Sequence, residues 1–313
     1  ANIERTVPRS PHVGALTPYQ RARRLLKEVL VGAGVSEAMF SPLIAPGDHE
    51  RAGLPGDALL ASEPLAREES VLRTSQLPGL LKSLAFNASH RNPEVALFEV
   101  GHVFGMPSPG DPLPDERERL AVVLSGAEGA PAAKRLLDVI LSTVHRTDGR
   151  LDAGGTDGLH PTRSARVVGA AGEVVGWVGE VDPAVVAAFD VPGRVGWIEL
   201  DLARLLPAER AYVQSRSVSK LPSSDIDLAF VVPDDVAAAA VEATLREAGG
   251  DLLVDLRLFD VYRGAALPEG TRSLAYRLRC QSAERTLNDA DLGDVRARCI
   301  GAVEAAHSAR LRG

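Results

Sequence analysis

Cysteine is scarce in this chain of 313 residues: only Cys280 and Cys299 occur, with no His or Cys nearby at ligand spacing. A disulfide framework and a zinc site therefore both lack support, and a reducing cytoplasm is the expected compartment. Methionine is as rare, and neither Met39 nor Met106 opens the chain, which begins at Ala1. The expectation is a piece of a longer protein. No uncharged apolar run reaches the roughly 18 residues that a membrane-spanning helix needs, and no basic, apolar leader marks export. Charge of one sign is missing too. The net charge is −7, and neither half carries the basic excess of a tight, sequence-independent nucleic-acid binder. The patterns GxxxxGK[ST], GxGxxG, GxSxG and HExxH are absent, so four familiar phosphate, dinucleotide, acyl-transfer and zinc-hydrolase sites drop out.

What remains is ample apolar material: 45% of residues are hydrophobic. The length favours two domains. Residues 1–16 carry two prolines and no periodicity, and read as a linker. Thr17-Pro18 opens a helix, with Thr as N-cap and Pro in the first turn; Leu25, Leu26, Val29 and Leu30 form its apolar stripe. Its Arg21, Arg23, Arg24 and Lys27 could hold RNA, although a solvated face is the stronger reading. A short strand is expected within 39–44 and helices over 77–87 and 132–146. Strands are expected over 96–100, 119–125, 165–168, 174–181 and 195–200, and Asp182-Pro183 caps a short helix ending near Phe189. This is a mixed domain with a mostly antiparallel sheet, since no βαβ unit repeats.

The remaining hundred or so residues read as βαββαβ, the ferredoxin-like order. Strands span 225–232, 252–262 and 272–281, and a weak one closes the chain at 309–312. One helix starts at Asp235 and a second is capped by Asn288 or Asp289. Two helices on one face of such a sheet leave the other face open. Alternation turns Leu274, Tyr276 and Leu278 toward the helices and Ala275, Arg277 and Arg279 outward; Leu256 and Leu258 point in, Arg257 and Phe259 out. Arg257, Phe259, Arg277 and Arg279 are thus candidates to hold phosphates and stack on unpaired bases. A face salt-bridged to Asp225, Asp227 and Asp255 competes with this reading, and a bulge could reverse the register. The histidines are scattered; His160 before Pro161 reads as a turn residue and His90 as surface. The residues alone stop at two mixed α/β domains without a visible active site.

Several runs resemble one family. Residues 70–104, SVLRTSQLPGLLKSLAFNASHRNPEVALFEVGHVF, look like a signature stretch of the bacterial phenylalanyl-tRNA synthetase beta subunit. LHPTRSARVV, GEVVGWVGEVDP and a strand ending IELDL follow in the family's order, and LRLFDVYRGAALPEGTRSLAYRLRCQSAERTLND is similar to its anticodon-binding domain. The resemblance implies an α+β chain in three parts: the linker 1–16 from a missing upstream domain, a catalytically degenerate class II synthetase-like domain over 17–210, and a ferredoxin-fold anticodon-binding domain over 211–313. It implies a cytoplasmic (αβ)2 heterotetramer in which the alpha subunit activates phenylalanine with ATP and magnesium and charges tRNA. This chain would be non-catalytic, contact tRNA through its C-terminal domain, and hold no metal or cofactor of its own.

The residues agree with a degenerate site. LFEVGHVF offers no arginine where ATP phosphates would need one, and GWVGEVDP carries an acid where a cation would be needed. Two departures stand out: Glu63 replaces an expected Asn, and Ser223-Ser224 replace a basic residue, which weakens a phosphate contact there. A free-standing RNA-binding or regulatory protein of the same two domains is the alternative. An independent small-molecule enzyme is a third, for which no convergent polar groups are visible in the sequence.

Overall fold

The structure, a computed structural model, describes residues 14–146, 150–206 and 219–312. Most of the expected linker, and the expected boundary after residue 210, lie outside them. The chain divides into two compact units, Ala1–Tyr212 and Val213–Gly313.

The larger unit runs α1 (Pro18–Gly32), β1 (Ser36–Glu37), β2 (Leu43–Ile44), α2 (Asp48–Arg51), β3 (Val71–Leu72), α3 (Leu77–Ser89), β4 (Ala96–Gly105), β5 (Asp115–Gly126), α4 (Ala130–Thr143), β6 (Arg150–Ala153), β7 (Leu159–Val168), β8 (Val174–Val181), α5 (Pro183–Ala188), β9 (Arg194–Asp201) and α6 (Leu202–Leu205). Seven strands make one sheet in the order β1-β4-β5-β9-β8-β7-β6, antiparallel except for β1 against β4. Alternation along each strand gives the sheet two apolar faces. On the back, α1 and α4 bring Leu26, Leu30, Leu136, Leu137 and Ile140 against Phe98, Leu120, Val122, Ile198 and Leu200. On the front, α3 and α5 bring Leu80, Leu81, Leu84, Val185 and Val186 against Leu97, Ala121, Val123, Val195 and Trp197. Burying each such side chain is worth about 1.5–3 kcal/mol, so the two layers hold the sheet from both sides. The front layer covers only part of its face; the rest is polar.

Thr17 caps α1 as expected, in a capping box with Gln20. Leu25, however, is 41% exposed, and Leu26 and Leu30 are the helix's fully buried residues. The basic residues of α1 are tied within the chain: Arg23 to Glu118, Arg24 to Glu28 and Lys27 to Glu37. The strand expected over 39–44 exists only at its last two residues. The hairpin β4–β5 is longer than its apolar runs, because pairing continues to Gly105 opposite Asp115. The short, polar β6 carried no signal; pairing with β7 makes it a strand.

The smaller unit runs β10 (Ser224–Pro233), α7 (Ala238–Gly249), β11 (Leu253–Tyr262), β12 (Thr271–Cys280), α8 (Asp289–His307) and β13 (Arg310–Leu311), with sheet order β11-β12-β10-β13. The helices bury Val241, Leu245, Val295, Cys299 and Val303 against Leu228, Phe230, Leu274, Tyr276 and Leu278. Asn288 caps α8 in a second capping box, with Asp291. Asp235 does not open α7. It lies in a turn closed by the Val236 N–H on Pro233 O, and Arg272 donates to Val236 O at 2.8 Å, so the helix begins at Ala238.

Candidate RNA interface and front-face cleft

The open face of the smaller sheet carries the four residues singled out by alternation. Arg257 stands opposite Arg277 in register, and Asp255 opposite Arg279. The arginines are not all free. Arg277 holds Asp227 through Nε at 2.8 Å and Nη2 at 2.7 Å, and Arg279 holds Asp225 at 2.9 and 3.0 Å. Hydrogen bonds from these guanidinia keep both carboxyls below the usual carboxylate range. The salt-bridged arrangement is therefore present for two of the three cations. Arg257 is exposed and makes no ion pair among the described residues. Phe259 is 48% exposed, and the Arg277 guanidinium lies 5.3 Å from its ring centroid.

Strict alternation missed two further residues. A bulge between Leu258 and Asp260 inserts one residue into β11, so Tyr262 pairs with Ser273 and lands on the open face instead of the helix face. The guanidinium of Arg312, beyond β13, lies 4.9 Å from the Tyr262 ring centroid. Between the Phe259 and Tyr262 ends of this face, Ala229 and Ala275 are paired neighbours. Two arginine-backed rings over a floor of small side chains make a surface on which flat, anionic partners can stack. No sequence signal marks Tyr262 or Arg312, because the bulge is set by pairing.

On the front of the larger sheet, LFEVGHVF forms β4 and turns Leu97, Glu99 and Gly101 forward. Glu99 is 1% exposed and meets Arg73 in a two-pronged pair at 2.9 and 3.0 Å. Arg73 also donates through Nε to His102 O at 2.9 Å, and Gln76 Nε2 donates to Glu99 O at 3.2 Å. Gly101 is required beneath this pair, since a Cβ there would lie 2.4 Å from Arg73 Nη2. One strand further, Arg119 reaches Glu199 at 3.2 Å, and Ser75 Oγ donates to the other Glu199 oxygen at 3.1 Å. The acid of GWVGEVDP, Glu180, is 2% exposed and held by Arg163 and Arg194. Burial would push its carboxyl up, but hydrogen bonds from Arg194 and Arg163 keep it below the ordinary range. Arginines thus surround these positions, supplied by other elements, and each faces a carboxylate. Among the described residues no group of three or more His, Cys, Asp or Glu could hold a metal ion. Beside Arg119 and Glu199 a cleft of about 240 Å3 opens, bounded by Ser75, Asp157, Trp177 and Trp197.

The two units together define a tRNA-synthetase type of protein. The chain is similar to pyrrolysyl-tRNA synthetase from Desulfitobacterium hafniense, with a TM-score of 0.50 and 12% identity over 60% of this chain and 67% of that one, a likeness of fold alone. Residues 219–312 match the ferredoxin-fold anticodon binding domain. Residues 3–202 match the phenylalanyl tRNA synthetase beta chain CLM domain, and the chain belongs to the phenylalanyl-tRNA synthetase beta chain family. It is 36% identical to the phenylalanine–tRNA ligase beta subunit of Geobacillus kaustophilus over 96% of its own length and 39% of that protein's. For the Symbiobacterium thermophilum subunit the figures are 34%, 95% and 35%, and for that of Bacillus subtilis 32%, 100% and 40%. The chain thus spans between a third and two fifths of these relatives. No helix among the described residues is long and apolar enough to cross a membrane.

Proposed function

We propose that this chain is the non-catalytic, tRNA-contacting part of a phenylalanine–tRNA ligase beta subunit. It works in the cytoplasm within an (αβ)2 assembly of class II type, whose alpha subunit activates phenylalanine with ATP and magnesium and charges tRNA. The larger unit gives that partner a rigid surface, and the smaller contacts tRNA. The observation that carries the reading is the open face of the smaller sheet, where Arg257, Phe259, Arg277 and Arg279 gather beside Tyr262 and Arg312. Unpaired Arg257 meets phosphate, and the arginine-backed rings take unpaired bases by stacking. Arg277 and Arg279, tied to Asp227 and Asp225, contribute less charge, and Arg277 backs the Phe259 ring.

The reading of a chain inactive by itself is supported by its neutralised cations. Charge developing on a transferred phosphoryl or adenylyl group needs fixed cations that are not already satisfied.

The test is tRNA binding by the assembled synthetase across a salt series. Arg257→Ala should weaken binding and lower the slope of log K against log salt by about 0.7–0.9, the loss of one phosphate contact. Tyr262→Ala should weaken binding with the slope unchanged. Phenylalanine-dependent ATP–pyrophosphate exchange should survive both. Unchanged tRNA affinity in both variants would remove this face from the site, and robust exchange by the chain without its partner would end the non-catalytic reading.

A further inference from the structure

We infer that a groove between α5 and the arginines of β7 and β9 binds a small monocarboxylate with an apolar body. The groove encloses about 490 Å3, within the roughly 300–1,000 Å3 of small-ligand sites. It shares no lining residue with the cleft beside Arg119 and Glu199. Nothing in the proposed role of this chain uses it.

Its charge balance differs from that of the front face. There Arg73 meets Glu99 and Arg119 meets Glu199, one cation to one carboxylate. Here Arg163 and Arg194 share Glu180. Among the described residues no other charged side chain lines the groove, so one positive charge is left over. The two guanidinia also have donors to spare, since each carries five N–H groups. Arg163 gives one to Glu180 Oε1; Arg194 gives two to the same carboxylate and one to Ala127 O. The others have no acceptor among the described residues, and the two side chains are 41% and 45% exposed. A guanidinium meets a carboxylate through two parallel hydrogen bonds. A dianion would bring its second charge toward Glu180 with no cation left to match it, and an amine would meet its like. The head is held ready before a ligand arrives. Glu180 is buried against Gly129, where a Cβ would lie 2.5 Å from Oε2, and it fixes both arginines. Such preorganisation lowers the ordering cost of binding. The rest of the lining is apolar: Pro183 and Ala187 are exposed, and Val181, Val186 and Val191 are buried beside them. That wall takes the body of the acid.

The experiment is isothermal calorimetry on the purified 313-residue chain with hexanoate, acetate, hexanamide and inorganic phosphate. Hexanoate should bind saturably at about 1 mM. Acetate lacks the apolar body and hexanamide the charge, and each should bind at least about tenfold more weakly. Phosphate should bind more weakly than hexanoate. Arg163→Gln leaves Glu180 its bonds from Arg194 and should weaken hexanoate at least about tenfold, with the urea midpoint checking the fold. If that variant fails to fold, the four-ligand comparison on the unaltered chain decides. No saturable heat from hexanoate up to about 10 mM overturns the inference, as does hexanamide, acetate or phosphate binding as tightly. Unchanged hexanoate affinity in folded Arg163→Gln overturns it too.

Discussion

Replacing Arg73 by methionine should unfold the larger unit at markedly lower denaturant, and replacing Glu99 by leucine as well should restore most of the loss. The Arg73 and Glu99 side chains are 4% and 2% exposed. In the single variant Glu99 keeps one weak donor, the Phe40 N–H at 3.4 Å, and becomes a buried charge without a counterion. Breaking a buried pair in this way costs about 3–5 kcal/mol, whereas exchanging both partners for apolar residues of similar volume is often neutral or stabilising. The expected coupling between the sites is therefore about 3 kcal/mol or more. Both tryptophans lie in the larger unit, so a urea titration followed by their fluorescence isolates its transition from that of the smaller unit. With a slope of about 2 kcal/mol per molar urea, the single variant's midpoint falls by roughly 2 M. A drop below about 0.5 M, or a double variant no better than the single, would refute the argument. It would mean that water reaches Glu99, or that the pair is held by packing alone.

Three further outcomes are expected. The Asp291 carboxyl is held at about 2 by the Arg285 guanidinium first and the Asn288 N–H second, so it stays ionised in the fold after it has protonated in the unfolded chain. Its contribution is complete above about pH 4 and is lost as pH falls through about 2, so the thermal-melt gap between wild type and Asp291→Asn should be constant above pH 5 and close below pH 4. A Cβ on Gly176 would lie 2.0 Å from the backbone oxygen of Glu199; Gly176→Ala should push β8 from β9 and cost at least about 3 kcal/mol in the same urea assay. Burial raises the thiols of Cys280 and Cys299, so a thiol reagent at pH 8 should modify them only at the rate at which the smaller unit opens, and react at once in denaturant.

Much of this molecule was legible in the order of its residues. Thr17-Pro18, Asp182-Pro183 and Asn288 announce helix starts because caps act within one turn. The alternation in 272–281 fixed which residues face the helices, because a strand's side-chain period admits only two faces. Length, charge and missing motifs excluded whole classes of chemistry, and the long signature runs carried the family. What the sequence could not decide depends on partners distant in the chain. β6 is a strand only because β7 lies beside it. Tyr262 reaches the open face only because pairing with β12 forces a bulge into β11. Arg277 and Arg279 are paired with Asp227 and Asp225, about fifty residues away, so a row of cations in the sequence becomes a nearly neutral surface with Arg257 exposed among them. The cleft brings Ser75, Arg119, Trp177 and Glu199 together from four separate elements. Local signals are set by sterics and hydrogen bonds within a few residues; charge balance and cavity shape are set by residues that only the closed sheet brings within reach.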